Sequence, residues 1–120
     1  MEGLKAKFQD AEIIVVDDAS TDNTAEILEK YSGKIRITTN LENRGVSFSR
    51  NAGIQAAMNE WIAFLDSDDQ WESEKLEKQK QFHADHPELM ISQCDEIWIR
   101  NGVRVNPMDK HAKRGGWIFE

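Results

Sequence analysis

The run at residues 13–16, Ile-Ile-Val-Val, constrains the fold more than any other feature, because every residue in it is β-branched. A strand with one solvent-exposed face would alternate polar and apolar residues, whereas an unbroken apolar run is typical of a parallel strand covered on both faces. This run ends at Asp17 and Asp18, and a second apolar run, residues 61–65, ends at Asp66. The sequence therefore predicts a buried sheet whose strands lead into acidic residues.

Helical patterns alternate with the predicted strands. The segment 19–31 predicts a helix that Thr21 or Asp22 caps and Gly33 ends. Further helices are predicted at 46–58 and 74–86, and further strands at 34–40, 61–65, 90–100 and 103–105. The pair Asn101-Gly102 is a type I′ turn signal between the last two strands. This order predicts an α/β fold with a mainly parallel sheet, flanking helices and a β-hairpin at the end.

The apolar pattern also predicts which helical residues turn inward. In the helix at 46–58 these are Val46, Ala52, Ile54, Ala57 and Met58. In the helix at 74–86 the residues predicted to mark the inward face are Leu76, Gln79 or Lys80, and Phe82 or His83. Inward residues at helical spacing are the faces by which helices cover a sheet.

Bulk composition excludes some classes of function. The chain has 120 residues, the length of one domain, and its formal net charge of −7 repels a phosphate backbone. We therefore expect no nucleic-acid partner. No apolar run approaches the roughly 20 residues that span a bilayer, and the first residues lack the apolar centre of a signal peptide. These features predict a cytoplasmic protein without a transmembrane segment.

Three carboxylates follow the predicted strand at 61–65, namely Asp66, Asp68 and Asp69. Carboxylates two positions apart on a turn can converge on one hard cation, and Mn²⁺ and Mg²⁺ prefer such oxygen ligands. The alternative is that these residues only supply a turn and cap the next helix, where aspartate is common. Taken alone, this motif favours the turn.

Asp17 and Asp18 change that balance, because the carboxyl ends of parallel strands meet at one edge of a sheet. Ligands of open α/β sheets bind beyond that edge. A carboxylate there could accept a hydrogen bond from a base N–H or a sugar hydroxyl. A turn before the next helix is the alternative for this pair, but two acidic strand ends in one small sheet favour a ligand site.

A third group of candidates begins the helix at 46–58. Arg44 and Gly45 precede the helix, and Arg50 and Asn51 lie within it. Helix N-termini and arginine side chains attract phosphate. The arginines could reach a diphosphate or offset the charge of the acidic groups, and a purely solvated position is the alternative.

These motifs together resemble the inverting glycosyltransferases of family 2. The stretches that carry the resemblance are EIIVVDDASTDNT, ENRGVSFSRNAGIQAA and WIAFLDSDDQWESEKLEKQ, from about residue 12 to about residue 82. The resemblance implies a GT-A fold, a nucleotide-sugar donor of the UDP-sugar type, and a divalent metal ion, Mn²⁺ or Mg²⁺. It also implies that a longer parent enzyme could work in membrane-associated glycan assembly.

The resemblance implies a role for each matching residue. Asp17 and Asp18 match the pair that contacts the base, with Asp18 the stronger candidate. Asp66 and Asp68 match the DxD motif, in which the first acid lies near the ribose and the last binds the metal. Asp69 could assist at the metal, and Arg44, Gly45, Arg50 and Asn51 match the segment that lines the donor cleft.

The chain also departs from the family pattern at both ends. Members begin with a strand resembling SVIIPTYN and carry their general base in a later half, and neither matches this sequence. Residues 1–120 are therefore expected to form a partial nucleotide-sugar-binding domain, inactive alone, whose exposed sheet edge drives self-association. The alternatives are a non-catalytic nucleotide-binding or assembly module and a nucleotidyltransferase.

Overall fold

The computed structural model describes residues 11–105. The chain divides into two compact units, residues 1–70 and residues 71–120, and each is described by itself. Leu4 and Phe8, four residues apart, predict the tail of a helix within residues 1–10, but that segment and residues 106–120 lie outside the described residues.

The first unit is built on a parallel strand pair. Strand β1 (Ile14–Asp17) pairs with strand β2 (Arg36–Thr39), and helix α1 (Thr24–Glu29) lies between them in the chain. Parallel strands need such a crossover, because a tight hairpin can join only antiparallel strands. The register sets Ile14 opposite Arg36 and Asp17 opposite Thr39, so the carboxyl ends of both strands lie side by side. The predicted parallel sheet is confirmed here.

The first helix begins at Thr24, and the prediction that Thr21 or Asp22 caps it is wrong, because the N-cap residue is Asn23, whose side chain makes no capping hydrogen bond. Asp22, one residue earlier, still binds the first turn. Its Oδ1 accepts the backbone N–H of Thr24 at 3.0 Å and the hydroxyl of the same residue. This carboxylate satisfies one of the amide groups that a helix start leaves unpaired. Two apolar residues are buried in the described part, Leu28 of α1 at 8% exposure and Ile35 just before β2 at 7%.

Helix α2 (Val46–Ala56) forms as predicted, but its inward face is composed of small residues. Val46, Ile54 and Met58 are exposed, so the prediction that they turn inward is wrong. Ala52 and Ala57 are half-buried, as predicted. A Cβ built on Gly53 would lie 3.4 Å from Val16 Cγ2, so the backbone of α2 approaches β1 too closely for large side chains.

A polar clamp holds the other end of α2. Glu12 Oε1 accepts the backbone N–H groups of Met58 at 2.6 Å and Asn59 at 3.0 Å, and its Oε2 lies 3.1 Å from Arg36 Nη1. The same guanidinium nitrogen donates to the carbonyl oxygen of Ala56 at 2.6 Å. The N–H group of Met58, above all, lowers the pKa of Glu12. A carboxylate and an arginine thus satisfy backbone groups that the helix end leaves open.

The predicted strand at 61–65 is wrong. Within residues 11–105 this segment forms no ladder with any other strand. Trp61 is 57% exposed and Phe64 is 50% exposed, which is unusual for so apolar a run. A strand needs hydrogen-bonded neighbours as well as apolar side chains, and β1 pairs only with β2 in the part that the structure describes.

The second unit contains helix α3 (Lys75–Asp85) and an antiparallel pair, β3 (Trp98–Arg100) and β4 (Val103–Val105). The hairpin prediction is confirmed, because Asn101 and Gly102 both have positive φ, 51° and 76°, as a type I′ turn requires. The strand predicted at 90–100 forms only over its last three residues. Leu76, Gln79 and His83 form the half-buried face of α3.

The architecture is therefore α/β, with a parallel strand pair in one unit and an antiparallel pair in the other. Among the described helices, none has the length and apolar character that a bilayer crossing requires.

Candidate functional site

Asp17 ends β1 and organises the turn that follows it. Its side chain is almost fully buried, and Oδ1 accepts the backbone N–H of Ser20 at 3.0 Å. Its carbonyl oxygen accepts the N–H of Asn40 at 2.9 Å, which extends the pairing of β1 and β2. The next turn residue, Ala19, has φ of +56°, an uncommon conformation for alanine. Asp17 therefore supports a tight, strained turn at the carboxyl edge of the sheet.

Asp18 carries the densest hydrogen-bond network of the first unit. Its Oδ1 accepts the N–H of Arg44 at 2.8 Å, and its Oδ2 accepts the N–H of Gly45 at 2.8 Å. Asn40 Nδ2 also donates to Oδ1 at 2.8 Å. The Arg44 N–H, then the Asn40 amide, lower the pKa of Asp18, and the Gly45 N–H and the Ser49 hydroxyl add to this. The carboxylate is held ionised in front of helix α2, where the helix dipole favours an anion.

Gly45 lets the chain turn from this carboxylate into the helix. It is the residue directly before α2, with φ of +88° and ψ of 170°. This region of backbone conformation is essentially restricted to glycine. The Gly45 carbonyl accepts the N–H of Ser49 at 3.1 Å and begins the helical pattern.

The Arg44 side chain makes contacts of its own, separate from the backbone N–H that binds Asp18. The guanidinium carbon lies 4.4 Å from the centre of the Phe48 ring, and Nη1 lies 3.3 Å from Glu42 Oε1. About half of the Arg44 side chain is exposed. An arginine stacked on an aromatic ring keeps a defined position and still offers N–H groups to a ligand.

Arg50 connects α2 to the second acidic group. Its Nη2 lies 2.8 Å from Asp66 Oδ1, and its guanidinium carbon lies 5.9 Å from the centre of the Phe64 ring. The arginine thus offsets charge on the acidic turn, one of the roles that the sequence left open. Asn51, the next residue, is exposed on α2.

The three aspartates of the second group do converge. One carboxylate oxygen from each of Asp66, Asp68 and Asp69 lies within 4.8 Å of the others. The N–H of Asp69 donates to the Asp66 carbonyl at 3.1 Å, which closes the turn. All three side chains are exposed, so a cation could reach them together with solvent or a ligand. Three carboxylate oxygens at this spacing fit a hard divalent cation.

Consecutive residues of α2 join the two acidic groups. Ser49 Oγ accepts a hydrogen bond from Asn40 Nδ2 at 3.0 Å, and Asn40 in turn binds Asp18. Arg50 binds Asp66. The first turns of α2 therefore contact both acidic groups, Asp18 through Asn40 and Asp66 directly. Sequence reasoning missed Asn40 and Ser49, and the only signal for Asn40 was a polar residue at the end of a predicted strand.

Comparison with known proteins identifies the family of the chain. The family model described as glycosyl transferase family 2 matches residues 2–112. The chain belongs to glycosyltransferase family 2. The α/β architecture agrees with the GT-A fold of this family.

Relatives in this family come from several bacteria. TuaG of Bacillus subtilis is 45% identical over 74 residues, which are 59% of this chain and 29% of that protein. An Escherichia coli protein, "UDP-Glc:alpha-D-GlcNAc-diphosphoundecaprenol beta-1,3-glucosyltransferase WfgD", is 42% identical over 77 residues, 63% of this chain and 30% of its own. A Borreliella burgdorferi cholesterol galactosyltransferase is 36% identical over 96 residues, 77% of this chain and 26% of its own.

The matched segments cover less than one third of the length of these three relatives. No solved structure matches the chain significantly.

Proposed function

We propose that this chain forms the donor-binding part of an inverting glycosyltransferase that uses a UDP-sugar. The observation that carries the proposal is that consecutive residues of α2 contact both acidic groups. Ser49 binds Asn40 of the Asp18 network, and Arg50 binds Asp66. One acidic group lies at the carboxyl edge of the parallel strand pair, where ligands of α/β sheets bind, and Arg50 ties the second acidic group to the same helix. Membership of family 2 and the UDP-sugar named for the E. coli relative support the same donor class.

The nucleoside is proposed to lie against the end of β1. Asp18 Oδ2 accepts one backbone N–H, from Gly45, and a carboxylate oxygen has capacity for a second hydrogen bond, from a base N–H or a ribose hydroxyl. Asp17 supports the turn beneath it. Arg44 offers its exposed guanidinium to the nucleotide, and Gly45 and Asn51 complete the lining.

The diphosphate is proposed to lie at the acidic turn. Asp66, Asp68 and Asp69 would hold Mn²⁺ or Mg²⁺, with Asp66 also near the ribose. When bound, such an ion neutralises the charge that develops on a leaving nucleoside diphosphate. Arg50 would add a second positive charge at the same place, close enough to bind either Asp66 or a phosphate oxygen.

Transfer would proceed with inversion at the sugar, and the acceptor is left unassigned. We propose that the reaction takes place on the cytoplasmic side, with membrane-associated glycan assembly as the setting of the longer enzyme. The diphosphoundecaprenol in the name of the E. coli relative supports that setting.

We also propose that the chain associates with a second copy of itself through the first unit. The described part shows no strand on the second edge of β1. The segment 61–65 adds exposed apolar side chains, Trp61, Ile62, Phe64 and Leu65. Unpaired strand edges and exposed apolar runs both favour pairing between chains.

Isothermal titration of the chain with UDP, with and without Mn²⁺, tests the donor site. We expect binding that depends on the metal and that weakens at least about tenfold in Asp68→Asn, because even groups that only support metal ligands contribute this much. Asp95→Asn is the matched control, since Asp95 is exposed and belongs to the second unit. Metal-independent binding that survives Asp68→Asn would contradict the metal site, and the absence of UDP binding would contradict the proposed function.

A further inference from the structure

Asn40 occupies a central position that the proposed site has not used. It follows the last residue of β2 and is only 9% exposed. Its backbone N–H donates to the Asp17 carbonyl at 2.9 Å. Its side-chain Nδ2 donates to Asp18 Oδ1 at 2.8 Å and to Ser49 Oγ at 3.0 Å. Asn40, which directly follows β2, thereby contacts both the end of β1 and the first turns of α2.

This geometry restrains the Asp18 carboxylate. Backbone N–H groups of Arg44 and Gly45 approach its two oxygens from the loop before α2. Those donors belong to a loop, which is more easily displaced than a strand. Asn40 donates from the end of a paired strand, and its link to Ser49 fixes the plane of its amide. Asn40 therefore adds to the loop donors a restraint on the carboxylate that comes from the end of β2 and from α2.

We propose that Asn40 is a positioning residue for the nucleotide. It holds Asp18 in the orientation that keeps the Arg44–Gly45 turn in place and presents Oδ2 to the base or ribose. This inference rests on the proposed function, because it assumes that a nucleoside diphosphate binds beside Asp18. Asn40 itself makes no contact with the ligand in this scheme.

A buried asparagine that serves only stability is the competing explanation. It predicts that removal of the amide lowers the melting temperature and raises the pKa of Asp18 through the lost donor, but leaves the amide resonances of Arg44 and Gly45 and the affinity for nucleotide unchanged. A positioning role predicts changes in both of those quantities. The two explanations therefore differ in measurements that are independent of catalytic turnover.

The first measurement is the titration of the Asp18 carboxyl carbon by NMR without nucleotide, in the wild-type chain and in Asn40→Ala. We expect the pKa of Asp18 to rise toward its ordinary value in the variant, because one donor to the charged form is lost. The amide resonances of Arg44 and Gly45 should shift with it. Thr39→Ala, one residue earlier and exposed, is the control and should change neither.

The second measurement is UDP affinity in the presence of Mn²⁺. Loss of one hydrogen bond that orients a ligand-binding group is expected to weaken UDP binding about threefold to tenfold in Asn40→Ala. Should Asn40→Ala fail to fold, Asn40→Ser takes its place, because serine keeps a polar group after β2 but lacks the amide that reaches Asp18 and Ser49. The same changes are expected there.

The outcomes separate this inference from the function on which it rests. Unchanged amide resonances of Arg44 and Gly45 in the folded variant overturn the positioning role, and so does wild-type UDP affinity in that variant. A wild-type chain that binds no UDP overturns the proposed function instead, whereas the NMR titration, made without nucleotide, still reports whether Asn40 restrains Asp18.

Discussion

Arg50 Nη2 lies 2.8 Å from Asp66 Oδ1, and this pair ties helix α2 to the acidic turn at residues 66–69. Both side chains are about half exposed, so the pair is worth little as a stabilising contact. Its consequence is electrostatic. The arginine reduces the repulsion among Asp66, Asp68 and Asp69, and it occupies an oxygen that a metal ion would also use.

We predict that Arg50→Gln strengthens the binding of Mn²⁺ alone. The substitution removes a positive charge that competes for Asp66, and exposed ion pairs of this kind are worth about 0.2–1 kcal/mol, which corresponds to an increase in affinity of up to about fivefold. Titration of the chain with Mn²⁺, followed by electron paramagnetic resonance without nucleotide, measures the change. Arg104→Gln, an exposed arginine of the second unit, is the control. Weaker Mn²⁺ binding in Arg50→Gln would show that the arginine supports the metal site instead of competing with it.

Gly45→Ala is predicted to destabilise the first unit through backbone strain. A Cβ at Gly45 would meet no atom within 4 Å, so its φ of +88° is the sole source of the cost. Such strain amounts to about 1–3 kcal/mol of unfolding free energy. Urea denaturation measures it, with Gly33→Ala as the matched control, because Gly33 also has open space around its Cβ. Equal stability of the two variants would mean that the turn before α2 relaxes without cost.

The lowered pKa of Asp18 predicts that the chain loses stability at acid pH. Its pKa in the folded chain lies below its ordinary value of 3.8, chiefly because the Arg44 N–H binds the carboxylate. The ionised form therefore contributes stability that is fully present above the ordinary pKa and is lost as the pH falls through the lowered folded pKa. The difference in unfolding free energy between wild type and Asp18→Asn should shrink over that range of pH. A difference that stays constant from neutral to acid pH would contradict this assignment.

The proposed self-association predicts that a charge introduced into the segment 61–65 weakens the dimer. Phe64→Lys places a charge on the exposed apolar run and should shift the chain from dimer to monomer in sedimentation velocity at micromolar concentration. Ile99→Lys is the control, because Ile99 is exposed at 69% in β3 of the second unit. A wild-type chain that sediments as a monomer at every concentration would rule out the association.

The local features of this chain could be predicted from its residues. The β-branched run ending at Asp17 indicated a parallel strand, Asp22 indicated that a helix starts nearby, and Asn101-Gly102 indicated a hairpin turn. For the helix start and the hairpin turn the physical cause lies within a few neighbouring residues, as a hydrogen bond to a nearby amide or a permitted φ, whereas the strand also needed β2 as its partner. The structure shows all three.

Other features depended on partners distant in the chain, and only the tertiary structure decided them. The apolar run at 61–65 forms no strand in the described part, because strand formation requires a neighbour whose presence no local pattern reports. Helix α2 turns small residues inward because Gly53 packs against Val16, a contact that hydrophobicity alone does not predict. The sequence by itself determined which residues carry charge at the ends of the apolar runs. The packing of α2 decided how Asn40 and Arg50 hold those charges.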